Sequence, residues 1–242
     1  MPKRKQEEDL LKVEILSADK RTRHTYGAER LQKDMDAHGQ HIGIHRIKRI
    51  RKELGLRCIQ KKKFKATTNS NHRLPVAENL LDQKFEAPAP NKVWLSDITY
   101  VSTKEGFLYL AGHKDVFTKE IVGYAMSSSM TKNLVNESLC RAVDFKRPAK
   151  GLIHHSDRGT QYCAHEYQKL LKYFGMQVSM SRRGNCYDNA PMESFWGTLK
   201  NELIYQRRYE TRKEAMKEIE EYIEIFYNRQ RRQEALYFLS PA

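Results

Sequence analysis

Three carboxylates in this sequence of 242 residues stand where acids could do chemistry. Asp97 interrupts the apolar run Val93-Trp94-Leu95-Ser96-Asp97-Ile98-Thr99-Tyr100-Val101, where a lone charge is costly unless something compensates it. Asp157 follows the short run Gly151-Leu152-Ile153-His154-His155 and lies just past the end of a strand, where open α/β sheets commonly hold ligands. Glu193 falls in the first turn of a helix that Asn189 can cap and Pro191 can initiate. Lys200 lies seven residues further on, about two turns away on the same face. Hard anionic oxygens converging in this way suit Mg²⁺, with positions left for water and phosphate. Two such ions about 4 Å apart activate a nucleophile and stabilise the leaving oxygen of a phosphodiester. Lys200 would then meet a phosphate as a point charge. Taken singly, each acid also has a structural reading: a satisfied buried acid, a turn residue, and a carboxylate at a helix start. Their positions on a strand, a strand end and a helix start are what single them out.

The elements that must position these residues are legible as patterns. Val93–Val101, Phe107–Ala111 and Ile121–Ala125 are rich in β-branched and aromatic residues and are separated by short turns, which predicts an antiparallel meander. A helix over 133–145, a strand over 151–155, a helix over 164–174 and a strand over 177–180 follow. This order predicts a mixed α/β sheet with helices on its faces. Thr211 and Glu214 form a capping-box pattern ahead of the apolar stripe Ala215, Ile219, Tyr222, Ile223 and Phe226, which predicts a long helix packed on the sheet. Arg229, Arg231 and Arg232 beyond it suit either DNA contact or a solvated helix end. His154 and His155 read as structural hydrogen-bonding groups, Asp115 as structural, Asp188 as a turn or cap residue, and Trp94 and Trp196 as packing residues.

The net charge of +14 points to a polyanionic partner, and it is unevenly spread. Residues 1–75 hold 20 Lys and Arg against 9 Asp and Glu, and residues 76–242 hold 24 against 21. Leu10, Leu11, Ile15 and Leu16 suggest a first helix; Ala28, Leu31 and Met35 a second before Gly39; Ile47, Ile50 and Leu54 a third stopped by Gly55. The third carries Arg46, Lys48, Arg49, Arg51 and Lys52 as candidate DNA-contacting residues. Two short helices about a glycine turn, the second basic, read as helix-turn-helix. His41, His45 and Cys58 fall short of the four ligands of a closed zinc site. The runs Lys61–Lys65 and Thr67–Asn71, followed by Ala87-Pro88-Ala89-Pro90, read as linker, with Leu80, Leu81 and Phe85 between them as residues that could dock on a neighbouring domain. The expected division is therefore a helical DNA-binding domain over 1–75, a linker over 76–90 and a catalytic domain over 91–242. Cys58, Cys140, Cys163 and Cys186 form no Cys-x-x-Cys pair and read as reduced thiols. No stretch nears the roughly 20 apolar residues of a membrane span, so a cytoplasmic location is expected.

At these residues the chain resembles the second-frame (OrfB) transposases of the bacterial insertion-sequence-three family, which have a retroviral-integrase-like core. The resemblance is carried by Trp94-Leu-Ser-Asp-Ile-Thr-Tyr-Val101, His154-His-Ser-Asp-Arg-Gly-Thr-Gln-Tyr162 and Ser181-Arg-Arg-Gly-Asn-Cys-Tyr-Asp-Asn-Ala-Pro-Met-Glu-Ser-Phe-Trp196. Tyr26-Gly27 with Leu31, and the tail from Tyr227-Asn228 to Leu239-Ser240-Pro241-Ala242, match too. The 35 residues between Asp157 and Glu193 equal the spacing of the family's Asp-Asp-35-Glu signature. The tail departs from the family pattern at Arg232-Gln233-Glu234, where a histidine is usual. The resemblance implies an RNase H-like fold and a catalytic, metal-binding triad of Asp97, Asp157 and Glu193 with two Mg²⁺ ions, Mn²⁺ substituting. Lys200 takes the family's basic position. It further implies double-stranded DNA partners at element ends and target, a homo-oligomer on DNA near the nucleoid, and fusion or association with the upstream OrfA product. Two other activities fit the same residues: a non-catalytic DNA-binding regulator of transposition when unfused, and a nuclease of the same fold without strand transfer.

Overall fold

The computed structural model describes residues 3–59 and 76–242, so the expected linker runs Lys61–Lys65 and Thr67–Asn71 lie outside the described residues. The described residues form two units. One comprises residues 3–59 with Gln230–Ser240, and the other comprises 76–229 with Pro241–Ala242.

The first unit contains α1 (Lys3–Arg21), α2 (Ala28–Ala37) and α3 (Ile44–Glu53). Leu11, Ile15, Ala18, Leu31, Met35, Ile47 and Ile50 form its core. On α1 the inward face is Leu11, Ile15 and Ala18; Leu10 and Leu16, expected in the same stripe, are exposed. Gly39 and Gly55 end α2 and α3 with φ of +79° and +66°, the left-handed region that favours glycine. The segment Gln230–Ser240, expected with the sheet, groups with these helices instead. The cause is the buried Tyr26, whose hydroxyl donates to the Gln230 carbonyl at 3.2 Å and accepts from the Arg232 amide at 2.6 Å. A buried phenol must satisfy its hydroxyl, and here the tail does so.

The second unit holds a five-stranded sheet in the order β3-β2-β1-β4-β5. Its strands are β1 (Val93–Thr103), β2 (Gly106–Asp115), β3 (Ile121–Ser127), β4 (Ile153–Ser156) and β5 (Gln177–Met180). The first three are an antiparallel meander, as the turn spacing predicts, and β4 and β5 run parallel to β1. Helices α4 (Lys132–Lys146), α5 (Thr160–Cys163), α6 (His165–Tyr173), α7 (Ala190–Glu202) and α8 (Arg212–Glu221) complete the unit, with a π-helical turn over Tyr222–Tyr227 extending α8. The Thr211 half of the capping box forms, the Glu214 amide donating to Thr211 Oγ1 at 3.1 Å, while the Glu214 carboxylate accepts from the Glu210 amide, one residue before the cap, at 3.0 Å. Ala215, Ile219, Tyr222, Ile223 and Phe226 are all buried.

One face of the sheet packs on α4 through Val122, Ala125, Leu134, Leu139 and Ala142. The approach of β3 to α4 is so close that a Cβ on Gly123 would stand 2.5 Å from the Ala142 backbone nitrogen. Backbone cannot yield as a flexible side chain does, so Gly123→Ala is expected to cost about 2–3 kcal/mol through overpacking. Urea unfolding followed by tryptophan fluorescence should show this as a lower midpoint; an unchanged midpoint would mean that β3 and α4 are less tightly seated.

Residues 76–85 do not hang free of the second unit. The Leu80 amide donates to Ser179 Oγ at 2.9 Å, the Met180 amide donates to the Glu78 carbonyl at 3.2 Å, and Leu81 is buried. The polar composition that reads as linker is that of a strap along β5, the last strand of the sheet.

Candidate active site

The register of the sheet explains how two distant acids meet. Parallel pairing of β1 with β4 ends at Ser96 opposite Ser156. Asp97 and Asp157 are each the next residue, on chains that adjacent strands hold about 4.8 Å apart. Glu193 comes from the first turn of α7, a helix with Pro191 in its opening positions. Asn189, expected to cap α7, makes no side-chain cap; its amide donates to the Ser96 carbonyl at 3.1 Å and ties the helix start to the strand residue before Asp97. All three carboxylates are half-buried.

Their electrostatics mark them as one group. Desolvation first, and then the charge of Asp157, push the Asp97 carboxyl well above the usual carboxylate range; Glu193 adds to the effect. The same two causes, desolvation and Asp157, raise Glu193. Two groups partly offset the strain on Asp97: the Ile98 backbone and Trp196, whose Nε1 donates to Asp97 Oδ2 at 3.1 Å. Gly112 pairs with Asp97 across β1 and β2 and makes room for that indole. A Cβ there would stand 3.0 Å from Trp196 Cη2 and 3.1 Å from Met192 Cε. Lys200 is buried on α7; desolvation lowers its ammonium to about 8 while Asp97 pulls the other way. Its Nζ lies 5.1 Å from the centroid of the Tyr100 ring.

Behind the site runs a buried polar chain. Ser96 Oγ donates to the Tyr162 hydroxyl at 2.9 Å. Further in, His154 Nε2 is 2.9 Å from the Tyr167 hydroxyl and 3.3 Å from His113 Nδ1, and His113 Nε2 is 2.9 Å from Ser138 Oγ. Burial drives His113 down to about 3 and lowers His154 strongly, so both are neutral at ordinary pH. His155, lowered to about 4 chiefly by burial, bonds Ser179 and Ser181. The histidines are structural, in keeping with the sequence reading. Asp115 is structural as well, accepting from Asn91, Trp94, Phe117 and Thr118.

Among the described residues no three His, Cys, Asp or Glu side chains stand grouped as a ready metal cluster. The donor set nevertheless fits a hard divalent cation: of three half-buried carboxylates, two are held against their own ionisation by desolvation and then by the charge of the third, which such an ion would relieve.

In the helical unit, Arg46, Lys48, Arg49 and Lys52 are exposed, with Arg49 paired to Glu8 and Glu53. Arg51 corrects the expectation of a solvent-facing cation. It is buried and pairs with the buried Asp19 at 3.3 Å. Sequence reasoning also missed the pairing of Ser96 with Tyr162 and the role of Asp188, which joins Arg182 to the distant Asn79 and Gln83.

Comparison with known proteins agrees with this fold. Residues 87–186 and 174–241 match the family described as integrase core domain, and residues 5–64 match the HTH-like domain family. The protein is thus of the integrase-core class with a helix-turn-helix-like domain in front. The "Insertion element IS600 uncharacterized 31 kDa protein" of Shigella sonnei is 59% identical, covering 99% of this chain and 88% of that one. The transposase for insertion sequence element IS904 of Lactococcus lactis is 42% identical over 99% of this chain and 94% of its own. Transposase InsF for insertion sequence IS3A of Escherichia coli is 39% identical over 94% and 79%. The chain belongs to the insertion-sequence-three family of transposases. Among solved structures, the HTLV-2 integrase catalytic core domain in complex with magnesium aligns with a TM-score of 0.51 at 14% identity, over 64% of this chain and 97% of that one. No helix among the described residues is long and apolar enough to cross a membrane.

Proposed function

We propose that this transposase cuts and joins DNA at the ends of its insertion sequence, with Asp97, Asp157 and Glu193 as the catalytic, metal-holding residues. The observation that carries the reading is that two parallel strands and a helix start deliver three half-buried carboxylates, with Asp97 and Glu193 both raised by desolvation and then by the charge of Asp157. These residues would hold Mg²⁺, two ions in the fullest form with Mn²⁺ as substitute, which when bound polarise the phosphodiester and stabilise the leaving oxygen. Trp196 orients Asp97, Asn189 fixes the helix that carries Glu193, and Lys200, buried where the sequence reading expected a phosphate contact, sets a positive charge close to Asp97. Water attacks phosphorus at the element end and the P–O3′ bond of that strand breaks, the 3′-oxygen leaving with a proton as a 3′-hydroxyl on one side of the cut and the water oxygen staying in the 5′-phosphate on the other. That 3′-oxygen then attacks a second phosphodiester, forming one P–O bond as another breaks. No covalent protein–DNA bond is needed; Tyr162, buried and held neutral by desolvation, is a floor to the site and not a nucleophile. The protein works as a homo-oligomer on paired ends, together with the upstream OrfA product.

The division into a DNA-gripping helical domain and a catalytic domain belongs to the same reading. Incubating the chain with labelled element-end DNA and Mg²⁺ tests the chemistry. Cleaved and joined products support it; binding without nicking would make the chain a regulator, and nicking without joining a nuclease. The grip is tested separately. Replacing Arg46, Lys48 and Lys52 with Ala should flatten the plot of log affinity against log salt by about 0.9 for each phosphate no longer neutralised, and an unchanged slope would remove α3 from the DNA interface.

A further inference from the structure

At the tip of the β1–β2 hairpin the sheet exposes aromatic rings that the core does not use. Tyr100 is 39% exposed and Phe107 48%, unusual for rings on a strand pair with one packed face. Their centroids are 5.0 Å apart at 65°, and Tyr109 extends the row at 6.3 Å from Phe107. Parallel pairing with β4 stops at Ser96, so that edge of β1 opens three residues before Tyr100. Lys200 Nζ lies over the Tyr100 ring, and its ammonium also feels the charge of Asp97, so one cation neighbours both the rings and the catalytic carboxylate. At the tip itself, Arg212 Nε donates to the Phe107 carbonyl at 3.0 Å, adding a second cation beside the rings.

We propose that Tyr100 and Phe107 form a stacking shelf for an unpaired base of the DNA strand whose phosphate lies beside Lys200. The inference rests on the reading that phosphodiester chemistry occurs at Asp97, Asp157 and Glu193. Flat π faces next to cations are how proteins hold unpaired bases without reading their sequence. A protein partner fits less well, since two half-exposed rings fall far short of the roughly 800 Å² that each side of a stable interface buries. The shelf takes a base that has already left the duplex, such as one frayed at a cut end, and so supports the strand next to the scissile bond.

The test uses the full chain, in chelator so that no cleavage intervenes, with a 12-nucleotide oligothymidine carrying one 2-aminopurine and a blunt duplex as control. Binding should quench the 2-aminopurine. In the double variant Tyr100→Ala, Phe107→Ala the quench should disappear, and single-strand affinity should fall about tenfold, the change that about 1.4 kcal/mol of lost stacking gives. Duplex affinity should stay within about twofold, and Tyr100→Phe should keep both quench and affinity. Both rings are exposed, so the variants should fold; circular dichroism checks this. No quench with the unaltered protein, equal loss for single strand and duplex, or a shift from dimer to monomer in sedimentation with affinity unchanged would each overturn the shelf. Cleavage that survives Asp97→Asn would defeat the catalytic reading while leaving the quench result to stand or fall by itself.

Discussion

Asp97→Asn is expected to lower strand cleavage by about a thousandfold or more and, at the same time, to raise the thermal stability of the second unit. The two effects share one cause. The carboxylate is half-buried, and its charge is disfavoured by desolvation and by Asp157 and Glu193. Asparagine keeps an oxygen to accept from Trp196 Nε1 and removes the charge, so folding is relieved of a repulsion. Catalysis loses the anionic oxygen that a divalent cation needs, and a thousandfold corresponds to about 4 kcal/mol of barrier. Strain at a functional site is commonly exchanged for activity in this way. Cleavage of labelled element-end DNA and thermal unfolding measured on one preparation decide the matter. A variant that cleaves normally, or that loses both activity and stability, would show that Asp97 is an ordinary structural acid.

Much of this arrangement can be read in the sequence because its signals are local. Alternating β-branched and aromatic residues announce β1 to β3, and a carboxylate in the middle of such a run needs a reason. Asp157 and Glu193 are visible through a strand end and a helix start. What escapes is whatever depends on partners far along the chain. Arg51 reads as one more cation on a basic helix, although the helical period sets it four residues after Ile47 and three before Leu54, on the apolar face. Its actual partner, Asp19, is 32 residues away. Asn189 has the right identity to cap α7, but the Ser96 carbonyl, 93 residues away, takes its amide instead. The tail 230–240 joins the helical unit through the Tyr26 hydroxyl and an ion pair of Arg232 with Asp34 at 3.6 Å, neither of which a local pattern announces. Composition likewise makes 76–90 a linker, while hydrogen bonds to β5 and Asp188 make its first half a strap.

Asp188 has the largest energetic consequence of the missed contacts, joining the nearby Arg182 to two strap residues more than a hundred positions away. The residue reads as a turn acid, yet it is buried and accepts five hydrogen bonds. Arg182 supplies three, from its amide at 2.7 Å, Nε at 3.0 Å and Nη2 at 2.8 Å. Asn79 Nδ2 at 3.0 Å and Gln83 Nε2 at 2.9 Å reach it from the strap. These donors, Arg182 foremost, hold the carboxyl well below the usual carboxylate range. Asp188→Ala would leave donors of the strap and of the loop before α7 without their shared acceptor. Arg182 is half-exposed and can turn to water, which discounts the loss to about 3 kcal/mol. In a protein of this size that is a fall of about 6–12 °C in Tm. The sign of the pH dependence follows from the depressed pKa. The stabilisation is fully present above the ordinary carboxylate range, and it is lost as pH falls below that range towards the folded value. The gap between the unaltered protein and Asp188→Ala should therefore be wide at pH 7 and narrower at about pH 3. Both tryptophans, Trp94 and Trp196, lie in the second unit, so their fluorescence in urea reports this unit alone. A gap that is small at pH 7, or equal at both pH values, would mean that the carboxylate does not clasp the strap. If it does, loosening it should also slow cleavage without changing DNA affinity, because the loop it anchors leads through Asn189 into the helix that carries Glu193.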